Sequence, residues 1–232
     1  RVILIKLEDR LHNMQTLGAQ TSEQRALIAQ ETIDVYAPIS QRLGIWELKW
    51  QLEDLAFQYL DTQSFQDITR LVSSGRKSRE TYIDNRVKAL LLALSQGGIQ
   101  AEVSGRPKNI YSIHKKMQKY KDEGKDFDEI YDLYALRVLV STKSDCYNAL
   151  GVVHSLWHPI HGSFDDYIAS PKQNFYQSLH TTVICDRISP LEIQIRTHEM
   201  HHIAEYGIAA HRSYKEGTSF DEGFEHKMSW LR

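Results

Sequence analysis

A chain of 232 residues, 41% hydrophobic and 25% charged, has the composition of an ordinary globular protein with one large or two small domains. A formal net charge of −2 gives no global basic field of the kind that holds nucleic acid, and no apolar run approaches a membrane span. Cys146 and Cys185 lack metal or redox spacing, so both are expected to be buried thiols in a reduced, cytoplasmic compartment. The opening R-V-I-L-I-K-L-E-D-R is too short and too charged for a signal peptide and reads as mid-helix, which predicts a piece of a longer protein.

Residues 1–98 read as helical. Val2, Ile3, Ile5, Leu7 and Leu11 are too closely spaced for a surface helix, so the first helix is expected to be largely buried. Thr21-Ser22-Glu23 predicts the cap of a second helix, with Ala26, Leu27, Ile33, Val35 and Tyr36 as apolar positions and Pro38 and Gly44 as punctuation. A third helix is expected over 46–60, and a fourth over 64–94, broken near Ser73-Ser74-Gly75 and C-capped by Gly97-Gly98. After Gly98 the period changes. A strand at 99–104 leads to a helix at 109–120, a polar loop at 121–128 and a near-continuous apolar run at 133–140 that reads as a central strand. A helix at 144–157 precedes a loop at 158–175, and loops of that length are usually functional or disordered. Strands at 179–184 and 191–196, joined by a turn with Asp186, Ser189 and Pro190, lead into a helix at 198–211 and a Gly- and charge-rich tail. The pattern is an α+β fold: an all-helical half, then a half with four or more strands.

The strand L-E-I-Q-I-R-T at 191–197 alternates without a break, so Glu192, Gln194 and Arg196 share the face opposite the core. Asp132 stands at the mouth of the buried strand, five residues before Arg137. It is exposed at the strand end, paired with Arg137, or bound to metal, because an unpaired buried acid is costly. Two carboxylates from two strands of one sheet form a Mg²⁺ site of the phosphoryl-transfer type, since Mg²⁺ needs only one or two carboxylates beside substrate phosphates. Glu192 has a second role open to it, taking a proton from an attacking hydroxyl.

Ser104-Gly105-Arg106-Pro107-Lys108, with Ser112, Lys115 and Lys116 beyond, reads as a strand-to-helix junction. A glycine there lets backbone amides approach a phosphate, and a helix N-terminus favours negative charge. The alternative is a turn followed by a solvated basic face, and a short G-x-x-K is not specific alone. In the loop, Tyr176 among Lys172, Asn174 and His180 offers a ring that stacks on a base, or a partly buried strand aromatic. His198, His201, His202 and His211 lack an H-E-x-x-H and nearby cysteines, so packing or surface roles are expected rather than zinc.

Four stretches, S-G-R-P-K-N-I-Y-S-I, Y-D-L-Y-A-L-R-V-L, F-D-D-Y-I-A-S-P-K-Q-N-F-Y-Q-S-L-H-T-T and E-I-Q-I-R-T-H-E-M-H-H-I-A-E-Y-G-I-A-A-H, closely resemble the long RelA/SpoT-type alarmone synthetases. I-K-L-E-D-R-L-H-N-M resembles the last conserved helix of the metal-dependent hydrolase domain that precedes the synthetase in that family. The resemblance implies a nucleotidyltransferase-like mixed sheet flanked by helices, and transfer of pyrophosphate from ATP to the 3′-hydroxyl of GDP or GTP. It implies a hydrolase remnant over 1–40, a helical linker over 41–98, a synthetase domain over 99–217 and a C-terminal tail or helix over 218–232. Arg106 and Arg137 match the pair that holds adenine, and Lys108, Ser112 and Lys116 the phosphate contacts. Asp132 matches the Mg²⁺ ligand, and Glu192 the second acid, supporting the metal or activating the hydroxyl. Tyr176 matches the guanine-stacking residue, with Lys172, Asn174, His180 and Gln194 around the acceptor. Ribosome or tRNA contact is expected only through regions absent here, and no feature read here bears on oligomeric state.

Three departures stand out. The family's N-G-Y reads Asn174-Phe175-Tyr176, and Phe resists backbone conformations that Gly permits, which could shift Tyr176 or reduce activity. Ser163-Phe164-Asp165-Asp166 has the acidic second half of the synthetase-only pattern without its leading Glu. Of the hydrolase motifs only Asp9, His12 and Asn13 remain, so no hydrolase activity is expected of this chain. The competing readings are a catalytically silent guanine-nucleotide-binding fragment, supported by Phe175, and a template-free nucleotidyltransferase, which releases pyrophosphate instead of AMP. Strict alternation places Asp132 and Arg137 on opposite faces unless Asp132 precedes the regular strand or the two embrace ATP from different sides.

Overall fold

The computed structural model describes residues 2–73, 76–122, 134–185 and 190–206. Asp132, the turn at 186–189, His211 and the tail lie outside the described residues. The α+β expectation holds: a helical segment is followed by a mixed sheet with helices on both faces.

Helix α1 (Val2–Gln15) buries only the stripe Leu7, Leu11 and Met14. Val2, Ile3 and Ile5 are exposed, which corrects the expectation of a largely buried helix. Val2 and Ile5 lie off the i, i+4, i+7 stripe that meets the neighbouring helices, and Ile3, four residues before Leu7, is exposed in the first turn of the helix. Thr21 caps α2 (Ser22–Glu31) with a capping box to Gln24. A π-helical stretch (Thr32–Tyr36) runs on into α3 (Ala37–Arg42), where Pro38 sits in the first turn and breaks nothing. Helix α4 (Trp46–Leu60) has the bounds its stripe predicts, and Leu48, Leu52 and Ala56 join Leu7, Leu11 and Met14 in one helical core.

The expected fourth helix is two, α5 (Thr62–Ser73) and α6 (Arg76–Gln96). Gly98 takes φ 73°, and the Ile99 amide reaches back to the Leu94 carbonyl, so α6 ends in a Schellman turn. Although α6 falls in the expected linker, its Ile83, Leu90 and Leu94 belong to the core of the sheet.

The sheet runs β1 (Ala101–Pro107), β2 (Tyr134–Val140), β6 (Pro190–Thr197), β5 (Leu179–Ile184), β3 (His158–Pro159), with β4 (Asp165–Asp166) also on β5. Among the described residues only β2 and β6 pair in parallel. Leu136, Val138, Val140, Ile193, Ile195, Leu179 and Val183 form the inner face and pack on α6 and α8 (Lys143–Leu156). Burying side chains of this size is worth about 1.5–3 kcal/mol each. The other face is polar; α9 (His198–Tyr206) packs on it, and Trp46 and Trp50 of α4 reach it. Helix α7 (Ile110–Asp122) packs on α4 and α5 around Phe57, Ile68 and Ile113. Cys146 is buried, with its thiol pushed up to about 12 mainly by that burial, whereas Cys185 is half-buried, correcting the expectation for the second cysteine.

Candidate active site

Register decides which side chains meet. Arg137 of β2, Gln194 of β6 and His180 of β5 form one row across the sheet, and Ala135, Glu192 and Thr182 form the next. Two-residue periodicity then places Arg106, Arg137, Glu192, Gln194, Arg196 and His180 on the polar face. Glu192 shares this face with Arg137, whereas the place of Asp132 relative to it lies outside the described residues.

Glu192 is held from three sides. Lys108 Nζ is 3.1 Å from its Oε2, His180 Nδ1 is 3.4 Å from its Oε1, and Gln194 Nε2 donates to Oε1 at 3.0 Å. Burial alone would raise its pKa. The His180 hydrogen bond, the Lys108 charge and the Gln194 amide overturn that and hold the carboxyl well below its ordinary range. With Nδ1 donating to the carboxylate, His180 Nε2 is left to accept from the Tyr176 hydroxyl at 2.8 Å.

Beside this triad lies a pocket of about 160 Å³, lined by Trp46, Trp50, Arg106, Arg137, Arg196 and Tyr176, among others. Burial pushes Arg106 down to about 10, and the positive charges of Arg137 and Arg196 push the same way. Arg196, 3% exposed, is likewise at about 10, first from burial. Both remain cationic near neutrality, so with Arg137 and Lys172 the cations lining this space outnumber its two carboxylates, Glu47 and Glu205, an excess that suits an anion. Arg137 Nη1 lies 3.5 Å from Glu205 and 3.4 Å from His201 Nε2, and His201 lies 3.2 Å from Glu205. Trp46 Nε1, Arg137 Nε, Arg196 Nε and His201 Nδ1 are buried without a hydrogen-bond partner among the described residues. An unmet buried donor costs about 1–3 kcal/mol, so this wall suits a ligand rich in acceptors.

The aromatic side is built by the loop before β5. The Phe175 amide donates to the Lys172 carbonyl at 2.8 Å, and the Lys172 amide donates to the Tyr176 carbonyl at 3.2 Å. Among the described residues Phe175 is the one non-glycine at positive φ, 62°. It therefore adopts the left-handed backbone that a glycine would take, and Tyr176 still reaches the pocket. Lys172 Nζ lies 4.1 Å from the Tyr167 ring centroid and 5.5 Å from that of Tyr176.

Of the expected residues, Arg106, Arg137, Lys172, Tyr176, His180 and Gln194 line this one pocket, and Lys108 and Glu192 form the ion pair beside it. Asn174 does not line it: its Oδ1 accepts from the Tyr176 amide and its Nδ2 donates to the Gln41 carbonyl, so it shapes the turn. Ser112 and Lys116 sit on α7, away from the lining. Two expectations for the junction are corrected. Strand β1 runs on through Pro107, so Gly105 is mid-strand, where an added Cβ would lie 2.3 Å from Ile83 Cγ2. Its small size serves the packing of α6. The first amides of α7, expected to face phosphate, donate instead to Asp54 of α4: Ile110 at 3.2 Å and Tyr111 at 2.8 Å, with Asn109 Nδ2 at 3.1 Å. Trp46, Trp50, His201 and Glu205 are the site residues that sequence reasoning missed, and Arg196 was placed on the polar face without a role.

An arginine-lined, aromatic-walled pocket next to an ionised carboxylate, on the polar face of a mixed sheet, defines a protein suited to nucleotides. The comparisons narrow this. The region found in RelA / SpoT proteins matches residues 105–219, and an HD domain matches residues 1–46. A GTP pyrophosphokinase of Myxococcus xanthus is 49% identical over 232 residues, covering 100% of this chain and 30% of that protein. The bifunctional (p)ppGpp synthase/hydrolase RelA of Mycobacterium tuberculosis is 49% identical over 240 residues, 100% of this chain and 32% of that one. A probable guanosine-3′,5′-bis(diphosphate) 3′-pyrophosphohydrolase of Synechocystis sp. is 51% identical over 241 residues, 100% of this chain and 31% of that one. The chain belongs to the RelA/SpoT family, and it spans just under a third of the length of these curated relatives. Among the described residues no helix is long and apolar enough to cross a membrane.

Proposed function

We propose that the chain transfers the β,γ-pyrophosphate of ATP to the 3′-hydroxyl of GDP or GTP, making the alarmone (p)ppGpp and releasing AMP. The observation that carries this reading is the convergence of Arg106, Arg137 and Arg196 with the Tyr176 ring on one pocket beside ionised Glu192. Relatives at about half identity that are named GTP pyrophosphokinase support it. The guanidinium planes of Arg106 and Arg137 suit adenine. Tyr176, flanked by Lys172, His180 and Gln194, suits the acceptor base, and Asn174 serves it by fixing the turn. Lys108, with Ser112 and Lys116 further along α7, suits the donor phosphates. The acceptor's 3′-oxygen bonds to the β-phosphorus as the bond from that phosphorus to the α-phosphate breaks, and the hydroxyl proton passes to solvent.

Such transfers need positioning and charge neutralisation more than covalent help. Glu192, ionised among Lys108, His180 and Gln194, is assigned to supplying negative charge beside the reacting phosphates. Its anionic oxygens fit Mg²⁺, with Asp132 as the second acid and substrate phosphates completing the shell. Bound there, Mg²⁺ would neutralise the phosphate charge, with Lys108 turning from Glu192 to the phosphates. Asp9, His12 and Asn13 are exposed on α1 and alone form no metal cage, so no hydrolase activity is proposed for this chain.

The test is incubation with ATP, GDP and Mg²⁺. AMP and a guanosine tetraphosphate are the expected products. Release of pyrophosphate would favour a nucleotidyltransferase, and nucleotide binding without AMP would favour the silent reading.

A further inference from the structure

Helix α4 packs its apolar stripe into the helical core, and on another face it carries Trp46, Trp50 and Asp54 at four-residue intervals. Residues so spaced lie one above the other along a helix. Each touches a different part of the sheet half. The Trp46 ring meets the edge of Tyr176, with centroids 5.6 Å apart and planes at 64°. The Arg106 guanidinium lies over Trp50, its Cζ 3.3 Å from the ring centroid. Asp54 takes the first amides of α7. Trp46 and Trp50 also touch each other, with centroids 6.3 Å apart.

We propose that Trp46 and Trp50 are positioning residues of the transfer site: Trp50 fixes the plane of Arg106 for the donor, and Trp46 fixes the ring of Tyr176 for the acceptor. The proposal rests on the pyrophosphate-transfer reading and adds the helical half of the chain to its machinery. A guanidinium has two faces, and the indole covers one, leaving the other for a base. Four-residue spacing on one rigid helix ties the two subsites together, so a shift of α4 moves Arg106 and Tyr176 in concert.

Steady-state AMP formation by the whole chain tests this, varying ATP and GDP separately. A cation–π contact of this closeness is worth enough that Trp50→Leu should raise the KM for ATP roughly tenfold. Its kcat and its KM for GDP should stay within about twofold, because the mutation leaves both the reacting atoms and Tyr176 in place. Trp50→Phe, which keeps a ring, should recover most of the loss, and Trp46→Leu should act on the KM for GDP instead. A lowered KM for ATP in Trp50→Leu would show that the indole blocks the donor, and an unchanged one that it does not touch donor binding; either overturns the proposal. If the leucine variants fail to fold, fluorescence of the phenylalanine variants decides. Trp50→Phe should lose the emission change caused by a non-hydrolysable ATP analogue, and Trp46→Phe the change caused by GDP. Retention of both changes would also overturn it. A wild-type chain that makes no AMP would instead remove the transfer reading itself.

Discussion

Replacing Phe175 by glycine tests whether the loop before β5 is held in a strained conformation for the sake of Tyr176. At φ 62° a residue with a side chain bears about 1–2 kcal/mol that glycine does not. Against this relief stand two losses. Glycine loosens the unfolded chain, which costs about 0.4–1 kcal/mol. Phe175 is 47% exposed as a residue, so removing its side chain forfeits about half of a full burial, roughly 1 kcal/mol. The sum is close to zero, within about 1 kcal/mol either way. Phe175→Val loses ring area too and puts a β-branched residue at positive φ, so it should fall below wild type by about 2 kcal/mol or more. Urea unfolding of both variants, with the GDP KM measured alongside, gives the comparison. Glycine should leave the KM unchanged, because the turn from Lys172 to Tyr176 is already in the glycine-like form. A glycine variant more than about 2 kcal/mol less stable, or a valine variant equal to wild type, would refute the reasoning.

Gly105→Ala should cost about 1–3 kcal/mol by overpacking against Ile83, and Ile83→Ala in that background should recover part of it in chemical denaturation. His201 is pushed down from 6.5 to about 3 by burial first and then by Arg196 and Arg137. The unfolded chain therefore binds the proton between those values and the folded one does not, so stability is fully present above pH 6.5 and is lost as pH falls through that window. The contribution is at most about 2–3 kcal/mol between pH 7 and 4.5, and His201→Gln should flatten it in thermal melts taken across that range. Glu192→Gln should cut AMP formation by about a hundredfold or more, because it removes the negative charge that meets Lys108 at 3.1 Å. Full activity in that variant, measured as AMP release, would remove Glu192 from the site.

What the sequence revealed and what it hid divide along a physical line. The bounds of α4 and β5 were legible because periodicity and capping are written within a dozen residues. The polar row of β6 was legible for the same reason: alternation assigned Glu192, Gln194 and Arg196 to one face before any partner was known. Gly105 was misread because a glycine near a basic cluster looks the same whether a phosphate or an isoleucine needs the space, and Ile83 lies on a separate helix. Asp54 was missed because the acid that caps α7 comes from 55 residues upstream of Asn109. Trp46 and Trp50 gave a four-residue signal, but a tryptophan pair on a helix that also carries a core stripe reads as more core. Telling the two apart needs the polar face of the sheet as a second surface. A site shared between a helix of one half and strands of the other has no local code. It is specified by the tertiary packing that sets Trp50 beneath Arg106, and a helix that packs on both halves is placed to connect them.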